Sequence, residues 1–150
     1  ILEKNNLIKS FNVKKIYPNS IEIKIKKTEF LGISFYNGEK FFIGSNGKLI
    51  KFEPTDKNLP LIYNLVNIEY FIDLKKIVDE SQLNFNEISE IYFFPSGRCD
   101  IKLKNKILLK LPNKNLLKSL NFAFEIIKHE KFKSNEIIDL RIANYFISKK

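Results

Sequence analysis

The chain has 150 residues, 44% of them apolar, and a formal charge of +9. That is enough apolar material to bury the core of one domain, or of one and a half, and too much for a disordered tail. The charge comes from 26 cationic side chains, of which only Arg98 and Arg141 are arginines. The lysines are scattered through every segment with abundant Ile, Asn and Phe, all residues with AT-rich codons, so they read as a solvated surface rather than a phosphate track and imply no nucleic-acid partner. A single cysteine, Cys99, excludes an intramolecular disulfide, and its place in a strand pattern predicts a buried thiol. No apolar run is long enough for a transmembrane helix, no signal peptide is visible, and a start at Ile1 reads as a piece of a longer protein.

Period two dominates the chain. Ile8 to Lys14 predicts a first strand, Tyr17-Pro18-Asn19-Ser20 a turn, and Ile21, Ile23 and Ile25 alternating with Glu22, Lys24 and Lys26 a second strand with one dry and one wet face. Phe30 to Phe35, Phe41 to Gly44 and Leu49 to Phe52 form a meander, because Asn37-Gly38 and Asn46-Gly47 are the strongest short hairpin signals. Pro54 and Pro60 bracket a segment that reads as a loop ending in Leu59-Pro60-Leu61-Ile62. Helical stripes follow on Ile68, Phe71, Ile72, Lys75 and Val78, and on Leu116, Leu117, Leu120, Phe124 and Ile127. Between them lie strand-like runs at Ile88 to Phe94, Arg98 to Lys104 and Lys106 to Leu111, with Pro95-Ser96-Gly97 turning the first into the second. Ile137 to Ser148 reads as one long closing strand. The order strands, helix, strands, helix, strand implies an α+β fold with a mostly antiparallel sheet and two packed helices.

No catalytic constellation accompanies this pattern. His129, the one histidine, sits beside Lys128 and Glu130 as a solvated surface residue does, and a single His without a cysteine partner makes no zinc site. No Gly-x-Ser-x-Gly elbow and no Gly-rich phosphate loop precedes a helix, and the Asp79-Glu80 pair diverges at a helix end. The expectation is a protein without catalytic residues, metal, cofactor or small-molecule substrate.

Val13 to Ile25, a strand, an aromatic-Pro-Asn turn and an alternating strand, resembles the end of a POTRA module. Ile137-Ile138-Asp139-Leu140-Arg141 resembles the signature closing the second domain of the FtsQ/DivIB cell-division proteins. Between them Asn46 to Ile50, Leu59 to Ile62 and Ser96 to Leu103 fall in the order that family uses. The chain departs from the family pattern at Lys27 and Phe30, where an acidic residue and a Pro are usual, at Cys99, where Trp is common, and at Lys106, where Gly is. The resemblance implies that residues 1–27 are the C-terminal part of a POTRA module and residues 28–150 an FtsQ-type β domain. It also implies a single-pass inner-membrane protein with this part in the periplasm and its anchor outside this chain. The implied role is a non-catalytic divisome scaffold that binds the membrane proteins FtsB and FtsL, taking a strand of FtsB by β-augmentation at its last strand. Two rival readings are a POTRA-bearing outer-membrane assembly or secretion protein and a basic nucleic-acid-binding domain.

The closing strand can be read without the family. Ile138, Leu140 and Ile142 predict a core face, while Asp139 and Arg141 predict a wet one. Past Ala143 and Asn144 the parity breaks, since Tyr145 and Ile147 fall on the wet face and Phe146 on the core face. Either a bulge at Ala143-Asn144 resets the register or a partner covers the second apolar face. The candidate partner-binding residues are therefore Arg141, Ile142, Ala143, Asn144, Tyr145, Phe146, Ile147 and Ser148, with Arg98 near the Pro95-Ser96-Gly97 turn as a further contact. Arg141 either meets an acidic partner residue or pairs with a neighbouring carboxylate.

Overall fold

A computed structural model describes residues 4–129, 137–142 and 147–149. The first two strands, β1 (Ile8–Ile16) and β2 (Ser20–Lys27), form an antiparallel hairpin that is a sheet of its own. Its register sets Phe11 opposite Ile25 and Val13 opposite Ile23, so the apolar residues of both strands share one face. That face is not dry, however: Ile21 is 66% and Ile23 50% exposed. Alternation reports the side-chain period, but burial needs a second layer, and two strands are too few to supply one. The hairpin is tied to the rest of the chain by side-chain amides. Asn46 donates to the carbonyls of Asn6 and Ile8 at 2.9 and 3.1 Å, and Asn6 donates to the carbonyl of Leu49 at 2.9 Å.

The remaining strands build one nine-stranded sheet. They are β3 (Phe30–Tyr36), β4 (Glu39–Gly44), β5 (Leu49–Lys51), β6 (Leu61–Tyr63), β7 (Ile88–Phe93), β8 (Cys99–Leu103), β9 (Leu108–Lys110), β10 (Ile137–Asp139) and β11 (Ile147–Lys149). Their spatial order is β11-β10-β9-β8-β7-β6-β3-β4-β5. Most neighbours are antiparallel, and the tight hairpin between β3 and β4 has the expected chemistry, with Asn37 and Gly38 both at positive φ, 50° and 80°. The pairs β3/β6, β6/β7 and β9/β10 are parallel.

Two of the parallel pairs explain the helices, because a parallel pair needs a crossover long enough to return the chain to the same end. Helix α1 (Ile68–Glu80) joins β6 to β7 and α2 (Leu116–Lys128) joins β9 to β10. Both settle on one face: Phe71, Leu74 and Val78 of α1 and Leu120, Ala123 and Ile126 of α2 pack with Ile62, Ile91, Ile101, Leu109 and Ile138 in one cluster. Asn67 caps α1, its side-chain oxygen accepting the Glu69 N–H at 2.9 Å. Cys99 lies in the same core at 3% exposure, where burial above all pushes its thiol up to about 12. His129 is exposed at the end of α2.

Two expectations are corrected here. Leu61–Tyr63 is a central strand rather than the end of a loop, lying between β3 and β7 with Ile62 fully buried. Its signal was weak because it is three residues long and follows Pro60, whose missing N–H matters little at the start of a strand. Pro60 still contributes its carbonyl, which accepts the Ile33 N–H at 2.9 Å. Opposite this strand, β3 approaches so closely that a Cβ on Gly32 would stand 2.3 Å from Cδ1 of Ile62. The second correction concerns the closing strand. It is two strands, since β10 stops at Asp139 and β11 runs antiparallel to it, with Ile137 opposite Lys149 and Asp139 opposite Ile147. Ile138 and Leu140 are core, as their parity predicts, but Ile142 is 58% exposed.

Candidate functional site

Among the described residues the sheet ends on β11, and hydrogen bonding fixes which of its backbone groups point outward, toward a further strand. Leu140 donates its N–H to the carbonyl of Lys110 at 2.9 Å, so Ile138 and Leu140 turn their backbone groups toward β9. Direction alternates along a strand, so Ile137 and Asp139 turn toward β11 and engage Lys149 and Ile147 opposite them. Ser148 is then the residue of β11 whose N–H and C=O point away from the sheet. An outward donor and acceptor on the last strand form the smallest unit that a further strand can pair with.

Charged side chains gather behind this edge, on the face that carries no helix. Register places Asp100 of β8 opposite Lys110 of β9, and Lys110 opposite Asp139 of β10. The row continues to Ile147 of β11, which is 56% exposed. Arg98 and Arg141 stand two residues from Asp100 and Asp139, so the chain's two arginines converge on one end of one face. Arg141 Nε donates to both oxygens of Asp139 at 2.7 and 3.0 Å, and its second guanidinium nitrogen adds a further bond. Of the two fates open to Arg141 in sequence, pairing with a neighbouring carboxylate is the one seen in the isolated chain. These hydrogen bonds hold the Asp139 carboxyl below its ordinary range.

Arg98 is placed differently. Its guanidinium stacks on Phe94, 4.2 Å from the ring centroid, and Nε lies 3.7 Å from Oδ1 of Asp100. Both atoms are buried and make no hydrogen bond among the described residues. Asp100 is only 5% exposed, and burial raises its carboxyl above the ordinary value of 3.8 despite the pull of Arg98, Lys110 and Arg141. An acid whose folded-state pKa is raised costs stability once ionised. The cost is absent below the unfolded value and grows as pH rises toward the folded one. Asp100→Asn, which cannot ionise, should therefore gain on the parent chain between pH 4 and pH 7. Denaturant midpoints at the two pH values check this, and a variant that loses ground at pH 7 would mean that attraction to Arg98 outweighs desolvation.

Of the residues that sequence singles out, Arg98, Arg141, Ile142, Ile147 and Ser148 lie at this corner of the sheet or on its edge. Ala143, Asn144, Tyr145 and Phe146 lie outside the described residues, and so does the proposed parity break between them. Sequence reading passed over Asp100 and Lys110. Their signal was there, as polar positions alternating with Cys99, Ile101 and Leu103, and with Leu109 and Leu111, but the row appears only when three strands far apart in sequence are laid side by side. No group of three or more His, Cys, Asp or Glu that could hold a metal ion occurs among the described residues.

The fold and the edge define an α+β domain whose helices back one face of a mixed sheet that ends on a pairable strand. Residues 35–141 match the family model for the C-terminal region of the cell division proteins FtsQ and DivIB. The chain belongs to that family. It is 29% identical over 153 residues to the cell division protein FtsQ of Rickettsia conorii, and 31% identical over 157 residues to that of Rickettsia felis. In both cases 99% of this chain aligns with 57% of the relative, so it spans a little over half the length of these proteins. The FtsQ of Agrobacterium fabrum is 25% identical over 91% of this chain. Among solved structures, the major extracytoplasmic domain of DivIB from Geobacillus stearothermophilus shares the fold, with a TM-score of 0.50 and 15% identity over 67% of this chain and 92% of that one. No helix among the described residues is long and apolar enough to cross a membrane.

Proposed function

We propose that this chain is the periplasmic part of a single-pass inner-membrane scaffold of the divisome, without catalytic activity, which recruits FtsB and FtsL by accepting a strand of FtsB at β11. The observation that carries this reading is the outward N–H and C=O of Ser148 on the terminal strand of the sheet. Backbone pairing at such an edge supplies affinity, and the alternate side chains supply specificity. Membership of the FtsQ/DivIB family supports the divisome setting. The contact set is Arg141, Ile142, Ala143, Asn144, Tyr145, Phe146, Ile147 and Ser148, with Arg98 at its margin.

In this reading residues 1–27 are the C-terminal part of a POTRA module, and residues 28–150 are the FtsQ-type β domain. Three observations support that division. β1 and β2 are a sheet apart from the other nine strands, their apolar face is uncovered among the described residues, and the relatives are much longer than this chain. An apolar hairpin face as exposed as Ile21, Ile23 and Ile25 is one that a further layer would cover.

Amide hydrogen exchange tests the recruitment. Adding the extracytoplasmic segment of the FtsB encoded by the same bacterium should slow exchange at Ser148, whose amide points away from the described sheet, by about tenfold or more. A complex that forms with no protection anywhere in β11 would place the contact elsewhere.

A further inference from the structure

A cleft of about 630 Å³ lies where the end of β3 meets the start of α1, and its lining includes Ser34, Tyr36, Val66, Glu69 and Tyr70. In the sheet order β3 stands six places from β11, roughly 29 Å at ordinary strand spacing. Val66 is 88%, Tyr36 62% and Tyr70 60% exposed, the most open large apolar side chains of the described residues outside β1, β2 and their turn. Scattered singly they would need no explanation, but around one cleft they form a patch of the kind that marks a contact. The charge of the cleft runs against that of the chain, whose net charge is +9: the lining holds no lysine or arginine, and Glu69 is its one formal charge. Glu69 makes no ion pair among the described residues, whereas Asp73 and Asp79 on the same helix are taken by Lys76 and Lys75. The start of α1 contributes only about half a positive charge, and one of its amides already donates to Asn67, so the cleft stays net negative. The rings show the same contrast. Tyr17, Phe30, Phe52, Phe85 and Phe94 each carry a lysine or arginine of this chain, and Tyr36 and Tyr70 carry none among the described residues. Ser34, only 5% exposed, has a hydroxyl without a hydrogen-bond partner among the described residues.

We propose that this cleft docks a separate protein partner through a short apolar segment bearing one basic side chain, whose cationic head lies against Glu69 and the rings of Tyr36 and Tyr70 while its apolar neighbours cover Val66. Charge decides the occupant, since an acidic or purely apolar segment would cover the Glu69 carboxylate and leave it unpaired. Ring faces attract a cation for the same electrostatic reason. Arginine suits the site better than lysine, because its planar fork stacks on a tyrosine while donating to the carboxylate and to the Ser34 hydroxyl. Distance makes the site independent. A strand added at β11 does not extend across six strands, so both surfaces can be occupied at once, and the inference stands without the recruitment proposed above.

The probe is the peptide acetyl-Leu-Arg-Leu-amide, titrated into the full chain and followed by amide NMR shifts, beside the same peptide with norleucine or glutamate in place of its arginine. The arginine peptide should move the amides of Ser34, Tyr36 and Glu69, leave that of Ser148 unmoved, and bind about fivefold more tightly than the norleucine peptide. The glutamate peptide should bind most weakly of the three. Glu69→Gln should remove most of the preference for arginine over norleucine, and Tyr36→Ala/Tyr70→Ala should weaken both peptides, with circular dichroism showing that each variant is folded. An arginine peptide that leaves the cleft amides unmoved overturns the proposal, as does equal binding of the arginine and norleucine peptides. Sedimentation showing a dimer of the parent chain that Tyr36→Ala/Tyr70→Ala returns to monomers assigns the cleft to a second copy and likewise overturns it.

Discussion

Ser148→Pro should leave the domain folded and abolish strand addition. Proline is tolerated on an edge strand when its missing N–H would have faced solvent, and Ser148 is that position in β11. The neighbouring Ile147→Pro is a blunter variant, because Ile147 faces Asp139 and its N–H points back into the sheet. It should detach β11 from β10 and weaken the edge itself. Side-chain variants complete the series: Tyr145→Lys and Phe146→Lys should each abolish FtsB binding without unfolding the domain if those residues meet the partner. Titration calorimetry of the four variants, with circular dichroism to confirm folding, orders the effects. If Ser148→Pro bound FtsB with the affinity of the parent chain, strand addition at this edge would be ruled out.

The second large effect concerns the core. Phe71 is fully buried, the largest of the fully buried side chains among the described residues, and stands where α1 meets β6 and β3, its Cζ close to the space above Gly32. Phe71→Ala removes a ring that the crossover helix depends on and leaves a cavity that Gly32 cannot fill, since that glycine offers only backbone. The expected loss is about 3–5 kcal/mol, from transfer and cavity terms together. Against a total of about 5–15 kcal/mol for a domain, that is a large share. Urea unfolding should show a lowered midpoint with an unchanged slope, and the melting temperature should fall by roughly 10 °C. A midpoint close to that of the parent would mean that α1 collapses onto the sheet to close the cavity.

What could be read from sequence follows from how local each signal is. Asn37-Gly38 fixes its hairpin within four residues, and the two helical stripes need only 13 residues each, so these elements were legible with their boundaries shifted by one or two positions. The closing strand reads as continuous in sequence because residues 140–146 contain neither Gly nor Pro, and a lone Asn144 is a weak turn signal. β6 was misread for the opposite reason, since a proline stands at its threshold and three buried residues show no alternation. The burial of β2 was overestimated because a period of two says which side chains share a face and not whether anything lies against it. At the site, Arg141 and the terminal strand were visible as a motif. The cross-strand row through Asp100, Lys110 and Asp139 was not, because register between distant strands is a property of the assembled sheet.

Among the described residues β11 holds to β10 through three residue pairs, Ile137 with Lys149, Ile138 with Ser148 and Asp139 with Ile147. Such a strand frays easily, and a newcomer on its far side would give it neighbours on both flanks. Whatever free energy the arriving chain contributes to ordering β11, the ordering of β11 returns to the arriving chain, because the coupling between them is reciprocal. Under the proposed strand addition, occupancy and completion of the fold are a single equilibrium, and a substitution that merely stiffens the last strand would tighten that addition without touching the added chain.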